Sequence, residues 1–141
     1  MPNLIESYGL ETALKSFINK IETSAKLSFN VHSNLKGWRC DKESELHLYR
    51  ILTELINNTI KHARATAVSL KLNLSKKMLQ IDYSDNGIGY EIDDNPLQAT
   101  GIGLQSIRNR VALINGTVDF NRKAGKTNVM ISKPICDVPI C

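Results

Sequence analysis

The 141-residue chain is poor in the features that mark secreted, membrane-spanning or metal-stapled proteins. Its three cysteines have no paired spacing, which excludes a disulfide framework or a zinc site, and reduced thiols are expected. No apolar run is long enough to span a membrane, and the N-terminus lacks the pattern of a signal peptide. We therefore expect a cytoplasmic location and no membrane contact by this chain; a membrane-anchored parent stays an open alternative.

Composition and charge indicate one folded domain with a mildly basic surface. Hydrophobic residues make up 42% and charged residues 23%, which is usual for globular proteins, and the length fits a single domain. Lys and Arg outnumber Asp and Glu by 18 to 14, which gives a net charge of +4. This charge permits an anionic partner such as a nucleotide phosphate. Direct nucleic-acid binding is not expected, because no reading helix or aromatic platform is recognisable.

The hydrophobic periodicity predicts three helices and five strands. Helices are predicted over 9–25, 42–63 and 104–114, and strands over 26–33, 67–74, 78–83, 117–122 and 127–132. Asp41 is the predicted N-cap of the second helix, and Asn115-Gly116 is the predicted C-terminal signal of the third. The predicted apolar stripe of that helix is Leu48, Leu52, Leu55, Ile56 and Ile60. Several strands follow one another directly, so the predicted fold class is α+β: a two-layer sandwich with a mixed, mostly antiparallel sheet and helices on one face.

The second predicted helix ends in polar side chains that share one face. Glu54, Asn58, Lys61 and His62 recur three or four residues apart, opposite the apolar stripe. A solvated helix surface would account for this pattern; the alternative is a face that binds metal and phosphate. The carbonyl oxygen of an Asn suits Mg²⁺, a Lys neutralises phosphate, and a Glu can orient or deprotonate water.

A glycine-rich segment, Asp85-Asn86-Gly87-Ile88-Gly89, follows the third predicted strand. An Asn-Gly hairpin turn would require another strand next, but residues 90–96 are acidic, polar and end in proline. A dinucleotide-binding fingerprint would need a glycine where Ile92 stands. The remaining interpretation is a ligand loop, in which glycines let the backbone approach a flat ring and Asp85 accepts a hydrogen bond from an exocyclic amine.

A second glycine pair, Gly101 and Gly103, directly precedes the third predicted helix. Backbone N–H groups at the start of a helix can face an anion. The residues between the two glycine segments would form a flexible lid over a ligand. By contrast, Gly125-Lys126-Thr127 does not end a P-loop, because Phe120 stands where that motif needs a glycine and the next residues resemble a strand.

Taken in order, the three segments resemble the N, G1 and G2 boxes of the Bergerat-fold ATPases. Within that superfamily the chain most resembles the catalytic ATP-binding domain of bacterial two-component sensor histidine kinases, of the nitrate-sensor-like subfamily. The matching residues are Glu54, Asn58 and Lys61-His62-Ala63, then 85–89, then Gly101-Ile102-Gly103-Leu104, and then 107–111 with Asn115-Gly116. Residues 8–14 also resemble the segment that joins the dimerisation helices to this domain.

The resemblance implies domain limits and residue roles. Residues 1–8 would be the remnant of an upstream dimerisation helix or linker, 9–135 the ATP-binding catalytic domain, and 136–141 a C-terminal tail. ATP and Mg²⁺ are the implied cofactors, with Asn58 as the metal ligand and with Glu54 and Lys61 as catalytic residues. The implied nucleotide-binding residues are Asn58, His62, Asp85, Gly87, Gly89, Gly101, Gly103, Leu104 and Thr127.

The activity that the resemblance implies is that of a protein-histidine kinase. Bound Mg-ATP would donate its γ-phosphoryl group to a histidine on a dimerisation domain, for relay to a response regulator. His32 and His47 are assigned surface or packing roles, and none of the three histidines, His62 included, is expected to be the phosphoacceptor. The chain alone is therefore expected not to complete autophosphorylation, and it is expected to be a monomer. The alternative is a nucleotide-gated interaction module, or an anti-sigma-factor-like serine switch kinase, of the same fold.

Overall fold

The computed structural model describes residues 2–87, 104–123 and 126–135. Within these ranges the chain forms three helices and five strands in the predicted order. The elements are α1 (Pro2–Ser24), β1 (Ser28–Ser33), α2 (Lys42–Asn58) with a π-helical turn (Thr59–Ala63), β2 (Ala67–Leu74), β3 (Met78–Asp85), α3 (Leu104–Leu113), β4 (Thr117–Lys123) and β5 (Lys126–Pro134).

The five strands form one sheet in the order β1-β2-β3-β5-β4. β1 pairs with β2 in parallel, and the chain crosses between them through α2, because a parallel pair cannot be joined by a tight turn. The other three strand pairs are antiparallel. This confirms the predicted fold class, a mixed and mostly antiparallel sheet with its helices packed in a second layer.

The core lies between the helices and one face of the sheet, as the alternation of side chains along each strand requires. In β3 the residues on the inner face are buried, while Asp82 on the outer face accepts a 2.7 Å hydrogen bond from Asn128. The fully buried large side chains include Ile5, Leu10, Leu14, Leu48, Ile51, Leu52, Leu55, Ile56, Leu70, Leu79, Ile81 and Tyr83. The helices and the inner face of the sheet therefore share one core.

Two helix ends carry the signals that the sequence predicts. Asp41 caps α2, and its side chain accepts a 2.9 Å hydrogen bond from the backbone N–H of Ser44. After α3, Asn115 adopts a left-handed conformation (φ 59°), and the N–H of Gly116 donates to the carbonyl of Val111 at 2.9 Å. These local bonds satisfy backbone groups that a helix leaves unpaired at its ends.

The N-terminal segment differs from the prediction that the first helix starts at Gly9. α1 begins at Pro2 and is broken at Gly9, whose backbone (φ 90°, ψ 177°) is not helical. Ile5 is only 2% exposed, so residues 2–8 contribute to the core. The short run Leu4-Ile5 was too brief to show a helical period, which is why the sequence did not reveal this segment. Of the helices in the described part of the chain, none combines the length and hydropathy needed to cross a membrane.

Candidate functional site

Asp85 is a buried carboxylate at the end of the central strand β3. It lies on the inner face of the sheet, opposite Val68 of β2, and is 3% exposed. An aspartate is rarely buried to this degree unless its oxygens are hydrogen-bonded or serve a ligand. The residue that the sequence singled out as an acceptor is therefore a buried carboxylate at the C-terminal end of a central strand, a position that suits a ligand contact.

The end of α2 meets Asp85 through Thr59. From Thr59 onwards the helix takes a π-helical turn, whose wider i→i+5 spacing changes which side chains face the sheet. Thr59 is 1% exposed, whereas Ile60 is 40% exposed, so the prediction that Ile60 continues the apolar stripe is wrong. The Thr59 hydroxyl lies 3.1 Å from Asp85 Oδ2 and 2.7 Å from the hydroxyl of Tyr83.

A backbone donor holds the second oxygen of Asp85. The N–H of Gly87 donates to Asp85 Oδ1 at 3.0 Å. Burial raises the pKa of Asp85, and the hydrogen bonds from Gly87 and Thr59 oppose that rise without cancelling it. The site therefore holds a carboxylate with one donor on each oxygen and with lone pairs left over for a ligand.

Asn86 fastens the backbone that carries this carboxylate. Its Oδ1 accepts hydrogen bonds from the N–H groups of Thr66 (2.9 Å) and Ala67 (3.0 Å), and its Nδ2 donates to Thr66 Oγ1 at 3.0 Å. Its own N–H donates to the carbonyl of Ala67 at 3.2 Å. These bonds join the end of β3 to the start of β2. They fix the backbone at Asn86, between Asp85 and Gly87.

Thr127 presents an unsatisfied hydroxyl on the other side of Asp85. Ser84 pairs with Asn128, so the next position of the ladder places Thr127 beside Asp85 on the inner face of the sheet. Thr127 is 0% exposed, and its Oγ1 has no hydrogen-bond partner among the described residues. A buried hydroxyl without a partner costs about 1–3 kcal/mol, so this one is suited to bind a ligand or a ligand-bound water.

The polar residues of the α2 end are exposed to different degrees. Glu54 is partly exposed, Asn58 is buried (7% exposed) and Lys61 in the π-helical turn is exposed. Asn58 directly precedes Thr59, so this face borders the Asp85 site. In the described residues no group of three His, Cys, Asp or Glu side chains could hold a metal alone. A metal here would need ligands from a bound phosphate as well.

Several predicted site residues cannot be compared with the geometry. Gly89, Gly101 and Gly103 lie outside the described residues, and so does the side chain of His62. Leu104, the first residue of α3, is fully buried in the core. The structure thus unites the Asp85 segment with the end of α2 and with Thr127, and it leaves the second glycine pair untested.

Sequence reasoning missed three residues of the site: Thr59, Tyr83 and Asn86. Tyr83 could have been found, because it lies two residues before Asp85 in a strand and must share its face. Asn86 was included in the predicted ligand loop but was given no role of its own. Thr59 could not be found from a regular 3.6-residue period, because the π-helical turn changes the period at that residue.

The chain matches the family of histidine kinase-, DNA gyrase B- and HSP90-like ATPases over residues 43–136. That match covers more than half of the sequence and includes the end of α2, the Asp85 segment and Thr127. The chain belongs to this ATPase family.

The similar proteins are sensor kinases. The oxygen sensor histidine kinase NreB of Staphylococcus carnosus (strain TM300) is 31% identical over 137 residues, which are 96% of this chain and 39% of NreB. The blue-light activated histidine kinase of Erythrobacter litoralis EL346 has a TM-score of 0.73 at 22% identity, over 92% of this chain and 42% of its own. The histidine kinase AdeS of Acinetobacter baumannii has a TM-score of 0.67 at 20% identity, over 94% and 73%.

The extent of these matches limits what they show. The structural similarities, all below 25% identity, show a shared fold. The chain spans 39% of the length of NreB and 42% of the Erythrobacter protein. The activity of a complete kinase, its acceptor and its partners therefore remain proposals for this chain.

Proposed function

We propose that this chain is the ATP-binding domain of a sensor histidine kinase. It binds Mg-ATP and presents the γ-phosphoryl group to a histidine on a dimerisation domain, from which a response regulator receives it. The observation that carries the proposal is Asp85, a buried carboxylate with one donor on each oxygen and acceptor capacity to spare. Family membership and the similarity to NreB support the same function.

Asp85 recognises the base in this proposal. An ionised carboxylate can only accept hydrogen bonds, so it suits the exocyclic amine of adenine and opposes the carbonyl that guanine carries at the same position. Thr127 contacts the other side of the base, either directly or through a water, which satisfies its buried hydroxyl. Gly87 contributes its N–H to Asp85 and keeps the loop close to the base.

The end of α2 handles the phosphates. The amide oxygen of Asn58 is the protein ligand proposed for Mg²⁺, which neutralises phosphate charge when bound. Lys61 extends from an exposed position in the π-helical turn, where its ammonium group can approach the phosphates. His62 follows Lys61 in sequence, and Leu104, at the start of α3, directly follows Gly101 and Gly103, the proposed phosphate-binding pair. Gly89 is proposed as a further base-binding residue.

Glu54 lies one helical turn before Asn58, and it is partly exposed. We propose that it orients the attacking imidazole and accepts its proton as the phosphoryl group is transferred. Because phosphoryl transfer depends on positioning and charge neutralisation, these few residues are sufficient for the role of the domain.

The acceptor lies on another domain in this proposal. His32 is exposed on the outer face of β1, and His47 of α2 lies 3.5 Å from Arg110 rather than in the Asp85 site. The partners are the kinase's own dimerisation domain and a response regulator. The isolated chain is proposed to be a monomer, and a cytoplasmic location is proposed because ATP is supplied there.

The first experiment is calorimetric titration of the chain with a non-hydrolysable ATP analogue, with and without Mg²⁺. Asp85→Asn replaces an acceptor by a donor facing the amine, and we expect it to weaken binding about 100-fold or more. Asn58→Ala is expected to remove the Mg²⁺ dependence while retaining the metal-free affinity.

Asp82→Asn is the matched control, because Asp82 lies on the same strand but on the outer face. It should bind like the wild type. Absence of binding by folded wild-type chain at millimolar analogue would contradict the proposed function. Equal losses in Asp85→Asn and Asp82→Asn would contradict the assignment of the base to Asp85.

A further inference from the structure

The hydroxyl of Thr59 is a buried polar group that the proposed reaction does not use. It is 1% exposed and lies between two other buried side chains, Tyr83 (0%) and Asp85 (3%). Its two side-chain contacts are 2.7 Å to the Tyr83 hydroxyl and 3.1 Å to Asp85 Oδ2. The Tyr83 hydroxyl also lies 3.3 Å from the carbonyl oxygen of Leu55. A chain of hydroxyl groups thus leads from the backbone of α2 to the carboxylate.

The number of available protons fixes the direction of this chain. An ionised carboxylate has no proton to donate, so Thr59 is the donor in its contact with Asp85. A threonine hydroxyl has one proton, so the oxygen of Thr59 must accept in its contact with Tyr83. Tyr83 is therefore the donor at 2.7 Å, and because its hydroxyl has a single proton, the 3.3 Å contact with the carbonyl oxygen of Leu55 is not a second full hydrogen bond.

The donors on Asp85 determine what the carboxylate can offer to a ligand. The N–H of Gly87 occupies one position on Oδ1, and Thr59 occupies one on Oδ2. The carboxylate can therefore neither rotate freely nor accept a proton at those positions without losing a bond. Its remaining lone pairs face a ligand as acceptors, which match an amine and repel a carbonyl oxygen.

We propose that Thr59, held by Tyr83, is a positioning residue that keeps Asp85 an acceptor and thereby makes the site select a 6-aminopurine over a 6-oxopurine. The inference rests on the proposed nucleotide function and adds the residue that determines base specificity. Without the Thr59 hydroxyl, the carboxyl group can turn and carry a proton on Oδ2, which it can donate to a 6-oxo group.

The test compares the Kd of ADP with that of inosine diphosphate, whose base has a 6-oxo group and an N1–H where adenine has a 6-amino group and an unprotonated N1. Their phosphates and metal are the same, so the ratio of the two Kd values reports discrimination at this edge of the base, which faces Asp85 in the proposal. Thr59→Val removes the hydroxyl at nearly constant volume, and we expect the preference for ADP to fall about tenfold. Thr59→Ser retains the hydroxyl and should restore most of the preference.

Thr53→Val is the matched control, because the Thr53 hydroxyl bonds only to the carbonyl of Arg50 on the same helix. It should keep the wild-type ratio. Tyr83→Phe removes the donor to Thr59 and is expected to lower the preference by a smaller factor. An unchanged ratio in both Thr59→Val and Tyr83→Phe, with both variants folded by circular dichroism, would overturn the inference.

A measurement without nucleotide separates this inference from the proposed function. In the wild-type chain, the Thr59 hydroxyl proton should exchange slowly enough with water to be seen by NMR, and Asp85→Ala should abolish that protection. If the wild type binds neither nucleotide, the proposed function and the base selectivity both fail, and this proton still decides whether Thr59 positions Asp85. A Thr59 proton that exchanges freely in the wild type would refute the positioning role.

Discussion

Two carboxylates are buried in the part of the chain that the structure describes, Glu45 and Asp85, and they are held in different ways. Glu45, 1% exposed, receives two hydrogen bonds from the guanidinium of Arg39, at 2.9 Å to Oε2 and 3.1 Å to Oε1. Asp85, 3% exposed, receives a hydroxyl and a backbone N–H, and has no cation partner among the described residues. The first carboxylate is saturated by a fixed ion pair, while the second retains acceptor capacity.

The Glu45 pair joins the N-terminal segment to the body of the domain. The hydrogen bond and charge of Glu45 raise the pKa of Arg39, whose Nη2 also donates to the carbonyls of Ile5 (3.2 Å) and Glu6 (3.1 Å). These carbonyls lie just before the break at Gly9.

Burial and nearby carboxylates raise the pKa of the Cys40 thiol to about 12, so it stays protonated and unreactive.

The contrast teaches that burial alone does not identify a functional carboxylate. A buried acid with a cation on both oxygens is a structural connection, whereas one held by neutral donors is available to a ligand. Three substitution experiments can break or sharpen this distinction.

Arg39→Met should give the largest fall in melting temperature, because it leaves Glu45 buried without a cation. Nucleotide affinity below the melting temperature should not change, since Arg39 has no contact with the Asp85 network. Thermal unfolding followed by circular dichroism, together with calorimetric titration of ADP, measures both effects.

Arg50→Met serves as the control, because Arg50 is exposed on the same helix as Glu45. The double variant Arg39→Met/Glu45→Leu should recover part of the lost stability, since it removes the uncompensated charge. If Arg39→Met weakened ADP binding as much as Asp85→Asn does, the two carboxylates would not be separable into a structural and a functional one.

Gly9→Ala should destabilise the chain by about 1–3 kcal/mol, because its backbone (φ 90°, ψ 177°) lies in a region that is essentially restricted to glycine. An added Cβ would also lie 2.7 Å from Cδ of Arg39 and disturb the guanidinium that holds Glu45. Urea denaturation monitored by the fluorescence of the single tryptophan measures the loss.

Gly37→Ala is the matched control for this substitution. Gly37 also has a positive φ (78°), but an added Cβ there would meet nothing within 4 Å. It should lose about 1 kcal/mol from backbone strain alone. Equal losses at the two glycines would mean that the contact with Arg39 contributes nothing to the connection.

The smallest effect concerns the pH dependence of stability and contrasts Asp85 with Asp41. Burial raises the pKa of Asp85, so its contribution to stability is present below the ordinary aspartate pKa and is lost as the pH rises through the raised value. Burial also acts to raise the pKa of Asp41, but the hydrogen bonds from Ser44 outweigh it and the pKa is lowered. The contribution of Asp41 to stability is present above the ordinary aspartate pKa and is lost as the pH falls through the lowered pKa.

The two aspartates should therefore give opposite trends. The stability of Asp85→Asn relative to the wild type is expected to increase as the pH rises, and that of Asp41→Asn to decrease. Urea denaturation between about pH 3 and pH 7 covers the ordinary aspartate pKa on both sides. The same trend in both variants would show that folding favours the ionised form of Asp85, as it does for Asp41. That result would contradict the raised pKa of Asp85.

Sequence patterns predicted the elements that obey regular periods. The five strands, the caps at Asp41 and Asn115, and the position of Asp85 after β3 all follow from alternation and local turn chemistry. The assignment of Ile60 to the core failed because a π-helical turn has no signature in a 3.6-residue pattern. The ion pair of Glu45 was missed because Arg39 lies before the helix and reaches Glu45 only through the folded chain.

Sequence patterns likewise predicted single residues of the site but not the contacts between them. Asp85 and Thr127 lie side by side on the sheet, although 41 intervening residues separate them in sequence, and only the resemblance to a family linked them beforehand. The hydroxyl network of Thr59 and Tyr83 depends on the rotation of α2 against the sheet, which no local pattern encodes. The roles of Glu54, Asn58 and Lys61 stay predictions that the proposed titrations address.

The central position of β3 determines how rarely the strand that carries Asp85 opens. β3 is hydrogen-bonded along its length to β2 on one side and to β5 on the other. The amide protons of such a strand exchange only when the domain opens globally, while edge strands and helix ends open in smaller fluctuations. The proposed base contact, Asp85, is thus in place before a nucleotide arrives and persists through partial unfolding, so no ordering entropy of its strand would oppose each round of binding.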